Sequence, residues 1–250
     1  MTLSSGTLSS ISSASATSLT VVFATQPSLG SLSASVTSFG LSSGAPVQVA
    51  IVVIPAWTVV GTAGFSAGGA DFTSLALEST GTPFVAYSDG NAGGAATVQK
   101  FVTGSGWTVV GTAGFSAGTA AYTSLALDST GTPFVAYQDI VNNFGATVQK
   151  LVSGTWTVVG TAGFSAGMAD LTSLALDSTG TPFVAYADGG NGYRATVQKL
   201  VGATWTVGGT AGFSAWQSLD TSLALDSTGT PFVAYQDFGN SRKATVQKYS

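Results

Sequence analysis

The chain has 250 residues, 44% of them hydrophobic and only 7% charged, with a net charge of −4. Its seven basic residues are spread between Lys100 and Lys248 and form no patch dense enough to follow phosphates, which argues against nucleic acid as a partner. Cysteine and histidine are both absent, which removes disulfides, thiolate chemistry and the commonest general base and metal ligand.

The first 56 residues are Ser-rich and contain no Asp or Glu. The opening MTLSSGTLSSISS lacks the basic and apolar regions of a secretory signal. The apolar run 47–54 is too short to cross a bilayer, so no membrane span is expected. Two runs, SLTVVFA and SLSASVTSF, have strand chemistry.

From Trp57 onward the chain repeats itself. Near-copies of WTVVGTAGFSAG…TSLALDSTGTPFVAY…D…ATVQK begin at Trp57, Trp107, Trp156 and Trp205, at spacings of 50, 49 and 49 residues. A period of this size marks an array of identical supersecondary units. In the third copy, four runs read as strands: Trp156-Thr157-Val158-Val159, Ser173-Leu174-Ala175-Leu176, Pro182-Phe183-Val184-Ala185-Tyr186 and Ala195-Thr196-Val197-Gln198-Lys199-Leu200. The middle two are apolar almost throughout, as strands buried on both faces are. Asp177-Ser178-Thr179-Gly180 reads as a tight hairpin, with Asp accepting backbone N–H groups and Gly180 free to take positive φ. GTAGFSAG reads as a loop crossing between sheets, with Phe65, Phe115, Phe164 and Phe213 as plugs.

Four short antiparallel strands repeating at about 50 residues predict an all-β fold, a β-propeller with one four-stranded blade per repeat. Short echoes of the repeat in the first 56 residues (Gly6-Thr7, Thr17-Ser18-Leu19 and Ala45-Pro46-Val47-Gln48) make residues 1–56 a degenerate fifth blade, with residues 2–5 as the strand closing the last sheet. Residues 1–250 then form a single domain. The alternative is a small β segment over 1–55 ahead of a four-bladed ring over 56–250.

At LALDSTGTPFVAY…D…ATVQK the chain resembles the NHL-type and BNR or Asp-box-like propeller repeats, over residues 57–249. The best local match is Asp237-Phe238-Gly239-Asn240-Ser241-Arg242 followed by Val246-Gln247-Lys248. The resemblance implies the propeller fold and leaves activity open, since the matching residues are mostly turn and core. Of the Asp-box pattern Ser-x-Asp-x-Gly-x-Thr-Trp only Gly154-Thr155-Trp156 stands here, and a sialidase's three arginines are not met by Arg194 and Arg242.

The most regular polar feature is Tyr-x-Asp after the third strand: Tyr87 and Asp89, Tyr137 and Asp139, Tyr186 and Asp188, Tyr235 and Asp237. As a ligand site, Tyr would stack on a sugar ring and Asp would accept from its hydroxyls. As structure, Asp would cap a turn and Tyr would pack between blades. The loops that follow differ in every copy, which is where specificity sits on a constant scaffold. Trp216 replaces the Gly of the other copies and is a candidate exposed anchor. No Asp-x-Asp-x-Asp spacing occurs, so neither metal nor cofactor is expected. Without His, and with near-equivalent carboxylates, no acid and base pair separates, and the expectation is that the protein is not an enzyme. The sequence thus reads as a lectin-like, non-catalytic binding propeller, extracellular or on the cell surface, for a glycan or protein surface. Two alternatives stay open: a structural repeat module that self-associates, and a consensus-like design.

Overall fold

A computed structural model describes residues 57–250 in full and, ahead of them, only the backbone of seven short strands. The chain divides into two compact units, Met1–Thr58 and Val59–Ser250. In the first, β1 (Thr2–Leu3), β4 (Gly30–Ser35) and β7 (Val47–Val52) form one antiparallel sheet. β2 (Leu8–Ala14) pairs with β3 (Leu19–Phe23), and β5 (Thr37–Ser38) with β6 (Leu41–Ser42). Thr2 and Leu3 pair with Ser35 and Ala34 inside this unit, and residues 4 and 5, the rest of the expected closing strand, lie outside the described residues.

The second unit holds four antiparallel sheets in series. Sheet 1 runs β8 (Ala70–Leu77), β9 (Pro83–Asp89), β10 (Ala95–Val102), β11 (Gly106–Val109). Sheet 2 runs β12 (Ala120–Leu127), β13 (Pro133–Asp139), β14 (Gly145–Val152), β15 (Thr155–Val158). Sheet 3 runs β16 (Ala169–Leu176), β17 (Pro182–Asp188), β18 (Arg194–Val201), β19 (Thr204–Val207). Sheet 4 holds β20 (Ser218–Leu225), β21 (Pro231–Asp237) and β22 (Lys243–Lys248). The all-β expectation of four-stranded antiparallel units holds, and β13 and β17 are buried along their whole length as read from their apolar runs.

The strand phase differs from the sequence reading. The Trp run was expected to open each repeat; instead it closes the preceding sheet, with Val152 opposite Thr155 and Gln149 opposite Val158. The cause is a two-residue turn. Ser153 and Gly154 take φ of 48° and 83°, the doubly positive pair that folds a strand straight back on its neighbour. The hairpin before it is built as the sequence predicts: Asp128 Oδ1 accepts from the N–H groups of Thr130 and Thr132, each at 2.9 Å.

Each sheet packs face to face on the next. Phe84, Ala86 and Val98 of sheet 1 meet Leu125, Val135 and Tyr137 of sheet 2, and the same interlock recurs twice more along the series. Neighbouring inner strands are also tied by polar contacts. The N–H groups of Leu125, Leu174 and Leu223 donate to the hydroxyls of Ser74, Ser124 and Ser173, each at 2.9 Å. The connectors carry the aromatic plugs: Trp107 stacks on Phe65, Trp156 on Phe115 and Trp205 on Phe164, each with centroids 4.0 Å apart.

Candidate functional site

At one end of every sheet, the strand after the DSTG hairpin runs into a loop, and the innermost strand begins beside it. Ala70 pairs with Asp89, Ala120 with Asp139 and Ala169 with Asp188, so loops and inner-strand starts share this end. The Tyr-x-Asp residues lie beneath it. Tyr87, Tyr137 and Tyr186 are buried, and each accepts a hydrogen bond from a glutamine Nε2, of Gln99, Gln149 and Gln198, at 2.6, 2.8 and 2.7 Å. Tyr235 instead donates to Gln247 Oε1 at 3.2 Å. Burial pushes all four phenols up from the ordinary tyrosine value.

The aspartates are buried as well and act as turn caps. Asp89, Asp139, Asp188 and Asp237 each accept from a threonine hydroxyl on the neighbouring strand, Thr97, Thr147, Thr196 and Thr245, at 2.9–3.0 Å. Their other oxygen takes the N–H of the loop, as at Asn91 (3.0 Å), Gly190 (3.0 Å) and Gly239 (2.9 Å). Asn142, Asn191 and Asn240 add side-chain donors at 2.8–2.9 Å. Hydrogen bonds from Asn240, outweighing desolvation, hold the Asp237 carboxyl below the ordinary carboxylate range. The four aspartates therefore hold the loops from below, while the tyrosines bond to the neighbouring strand. Trp216 is different: it lies open to solvent against the backbone of Gly239, where an added Cβ would come 2.3 Å from its ring.

The innermost strand carries a feature that the sequence reading missed. Its register shifts after Asp71, Ala121, Asp170 and Leu219, and the next residue in each, Phe72, Tyr122, Leu171 and Asp220, sits at φ of 52–57°. A bulky L-residue rarely adopts this region, so the four bulges hold backbone strain at equivalent points. Together with Thr73, Thr123, Thr172 and Thr221 these residues line a cavity of about 320 Å³ where the four inner strands converge. The rings of Phe72 and Tyr122 stand 4.8 Å apart and tilted by 59°. Desolvation, with the charge of Asp170 beside it, raises the Tyr122 phenol. The available signal was variability: this position differs in all four copies immediately before an invariant TSLAL.

Around the cavity the loops add apolar surface. Val141, Phe144 and Met168 are exposed, and the Arg242 guanidinium lies over the Phe238 ring, 4.8 Å from its centroid. Four successive sheets packed face on face, with their inner strands converging on one cavity, decide the architecture. The repeat region is a β-propeller.

No protein-family profile and no curated protein matches this sequence, so the finer resemblance to NHL-type or Asp-box repeats gains no matching profile. Solved propellers do match in structure. A fucose lectin from Kordia zhangzhouensis, in complex with methyl-fucoside, is 17% identical at a TM-score of 0.39, covering 56% of this chain and 99% of its own. An Aleuria aurantia lectin in complex with Fucalpha1-6GlcNAc is 18% identical at a TM-score of 0.48, covering 71% of this chain and 57% of its own. The alpha-L-arabinanase of Penicillium chrysogenum, complexed with arabinobiose, is 13% identical at 0.48, covering 72% and 61%. The chain thus spans less than two thirds of the length of the latter two propellers.

The expectation that the protein is not an enzyme is corrected here. An arabinanase, an arabinofuranosidase and a further glycoside hydrolase stand among the similar propellers. A missing histidine does not remove glycoside hydrolysis, which carboxylates perform. Among the described residues, no helix is long and apolar enough to cross a membrane.

Proposed function

We propose that the loop end of this propeller binds carbohydrate, with the cavity among the inner strands as the main subsite and Trp216 as a second stacking surface. The observation that carries this reading is the make-up of the cavity rim. Two aromatic rings, Phe72 and Tyr122, share it with the exposed carboxylate of Asp220 and a set of threonine hydroxyls. A sugar offers an apolar C–H face for the rings and hydroxyls that donate to a carboxylate. The cavity's volume, about 320 Å³, suits a small saccharide.

The rigid bulges hold these side chains in place before the ligand arrives, which lowers the ordering cost of binding. The Tyr-x-Asp residues support the surrounding loops, and the variable loop side chains supply selectivity. A carbohydrate ligand fits a protein at work outside the cell or on its surface. The rim's chemistry also fits a neutral ligand, since little in this chain steers a charged one.

A glycan array followed by calorimetry tests this. Asp220→Asn removes a charge-assisted acceptor and is expected to weaken the best saccharide by roughly ten- to hundredfold. Tyr122→Ala is expected to do at least as much, and Trp216→Ala to weaken longer ligands more than monosaccharides. Product analysis on the bound glycans reports whether they are cleaved. An array with no saccharide bound, or an affinity that Asp220→Asn and Tyr122→Ala both leave unchanged, overturns the reading.

A further inference from the structure

We propose that the cavity among the inner strands takes a protonated amine, so that its saccharide is an amino sugar. This rests on the carbohydrate reading above and names the group on the sugar that the cavity recognises. Hydrogen-bond accounting carries it. Thr123, Thr172 and Thr221 line the cavity, and each donates its hydroxyl hydrogen to the carbonyl of the bulged residue one sheet back, Phe72, Tyr122 and Leu171 in turn. A threonine hydroxyl has one hydrogen and two lone pairs. With the hydrogen spent, these three side chains offer a ligand acceptors only. The N–H groups of Leu125, Leu174 and Leu223, two residues on, are spent as well, on the hydroxyls of Ser74, Ser124 and Ser173. Asp220 adds a carboxylate to the same wall, a further acceptor.

The charge carried by the inner strands has one sign. β8, β12, β16 and β20 hold three acidic residues, Asp71, Asp170 and Asp220, at or beside their bulges, and no basic residue. The seven basic residues all stand on other elements. Lys100, Lys150 and Lys199 lie over Phe84, Phe134 and Phe183, toward the hairpin end of their sheets, and Lys248 pairs with Phe232 at the equivalent place. Arg194 and Lys243 open β18 and β22, and Arg242 covers the Phe238 ring. Asp170 is held by the Gln138 amide, and its charge adds to desolvation in raising the Tyr122 phenol. The low overall charge gives little long-range steering, but over the few ångströms around a bound group the local sign decides.

The rings complete the match. Phe72 and Tyr122 stand 4.8 Å apart and tilted by 59°, so two π faces meet at an angle on the rim. An ammonium group has three donors and no acceptor, and an aromatic face attracts it through the ring quadrupole. It therefore satisfies the threonine lone pairs, the carboxylate and the rings together. A neutral hydroxyl in the same place brings lone pairs that neither the threonines nor the carboxylate can serve. The other hydroxyls of the sugar donate to the acceptors that the amine leaves unused.

Calorimetry on the full chain at about pH 6, where an amine is protonated, tests this. The probes are the methyl 2-amino-2-deoxyhexosides of gluco, galacto and manno configuration, each against its parent hexoside and its N-acetyl derivative. At least one aminohexoside is expected to bind roughly tenfold tighter than its parent, and N-acetylation to remove the gain. Asp220→Asn and Phe72→Leu, with native circular dichroism, are each expected to bring the ratio of the two affinities toward one, which a general loosening of the site would not do. Should either variant fail to fold, salt serves instead: high ionic strength is expected to erode the preference and leave binding of the parent unchanged. Aminohexosides that bind no more tightly than their parents overturn this inference. The carbohydrate reading then still stands if the glycan array shows a saccharide that Asp220→Asn weakens, whereas an array with no saccharide bound overturns both. Acetyl-lysine amide bound more tightly than every aminohexoside identifies a lysine side chain as the occupant and overturns the assignment to a sugar.

Discussion

Two sets of aspartates with similar sequence surroundings do different work. Asp128, Asp177 and Asp226 sit in exposed hairpins, each accepting three hydrogen bonds from the two threonines that follow. Burial alone would push the Asp128 and Asp177 carboxyls up, but these threonine donors outweigh it, and all three carboxyls lie below the ordinary carboxylate value. A lowered folded-state pKa means that the stabilisation is complete above the unfolded value, about 4, and is lost as pH falls through the folded one. Melting temperature is therefore expected to be flat between pH 5 and 8 as far as these groups decide it, and to drop below about pH 4. The tyrosines have the opposite sign. Their raised phenols favour the folded state below about pH 10, and that contribution is lost as pH rises from there. Asp139 is the more costly residue to remove. Asp139→Ala leaves Thr147 and the Asn142 amide without their acceptor in a buried site, and is expected to cost roughly 3 kcal/mol in urea unfolding. The hairpin role of Asp128 was legible because the D-S-T-G string is itself the motif. The depth of Asp139 was not, because a strand end does not announce whether its last side chain faces the ligand or the loop's own backbone.

At the scale of elements, strand chemistry located the runs, while their grouping into sheets depended on turns. Trp156 opens a repeat by sequence but closes the sheet of the repeat before it, because Ser153 and Gly154 bend the chain back. Gly154→Ala is expected to cost about 1 kcal/mol by chain conformation alone, since an added methyl group at that site meets no atom within 4 Å. Trp156→Ala removes the stack on Phe115 and the hydrogen bond to Val110, and is expected to cost about 2 to 3 kcal/mol, less than for a fully buried Trp. Both are read from the midpoint of chemical unfolding. The order of the two costs also checks the strand assignment, since an indole standing free of the sheet would cost little to remove. The bulged inner strand shows the other limit of pattern reading. Ala-Asp-Leu-Thr-Ser-Leu-Ala-Leu looks like a plain buried strand, yet a shift of register between Asp170 and Ser173 turns Leu171 toward the convergence point.

For the whole molecule, near-identical repeats make each junction a copy of the last, so the stability of the array grows by nearest-neighbour contacts. The repeat period, the strand chemistry and the Asp hairpins determined by themselves that this chain is all-β and built of blades, because these depend on residues close in sequence. Which blade each Trp strand joins and where the strained side chains meet were decided only by the tertiary structure. Those properties depend on pairings between residues some 50 positions apart, such as Leu174 with Ser124 and Trp156 with Val110, and a period in sequence states that such partners exist without stating which copy supplies them.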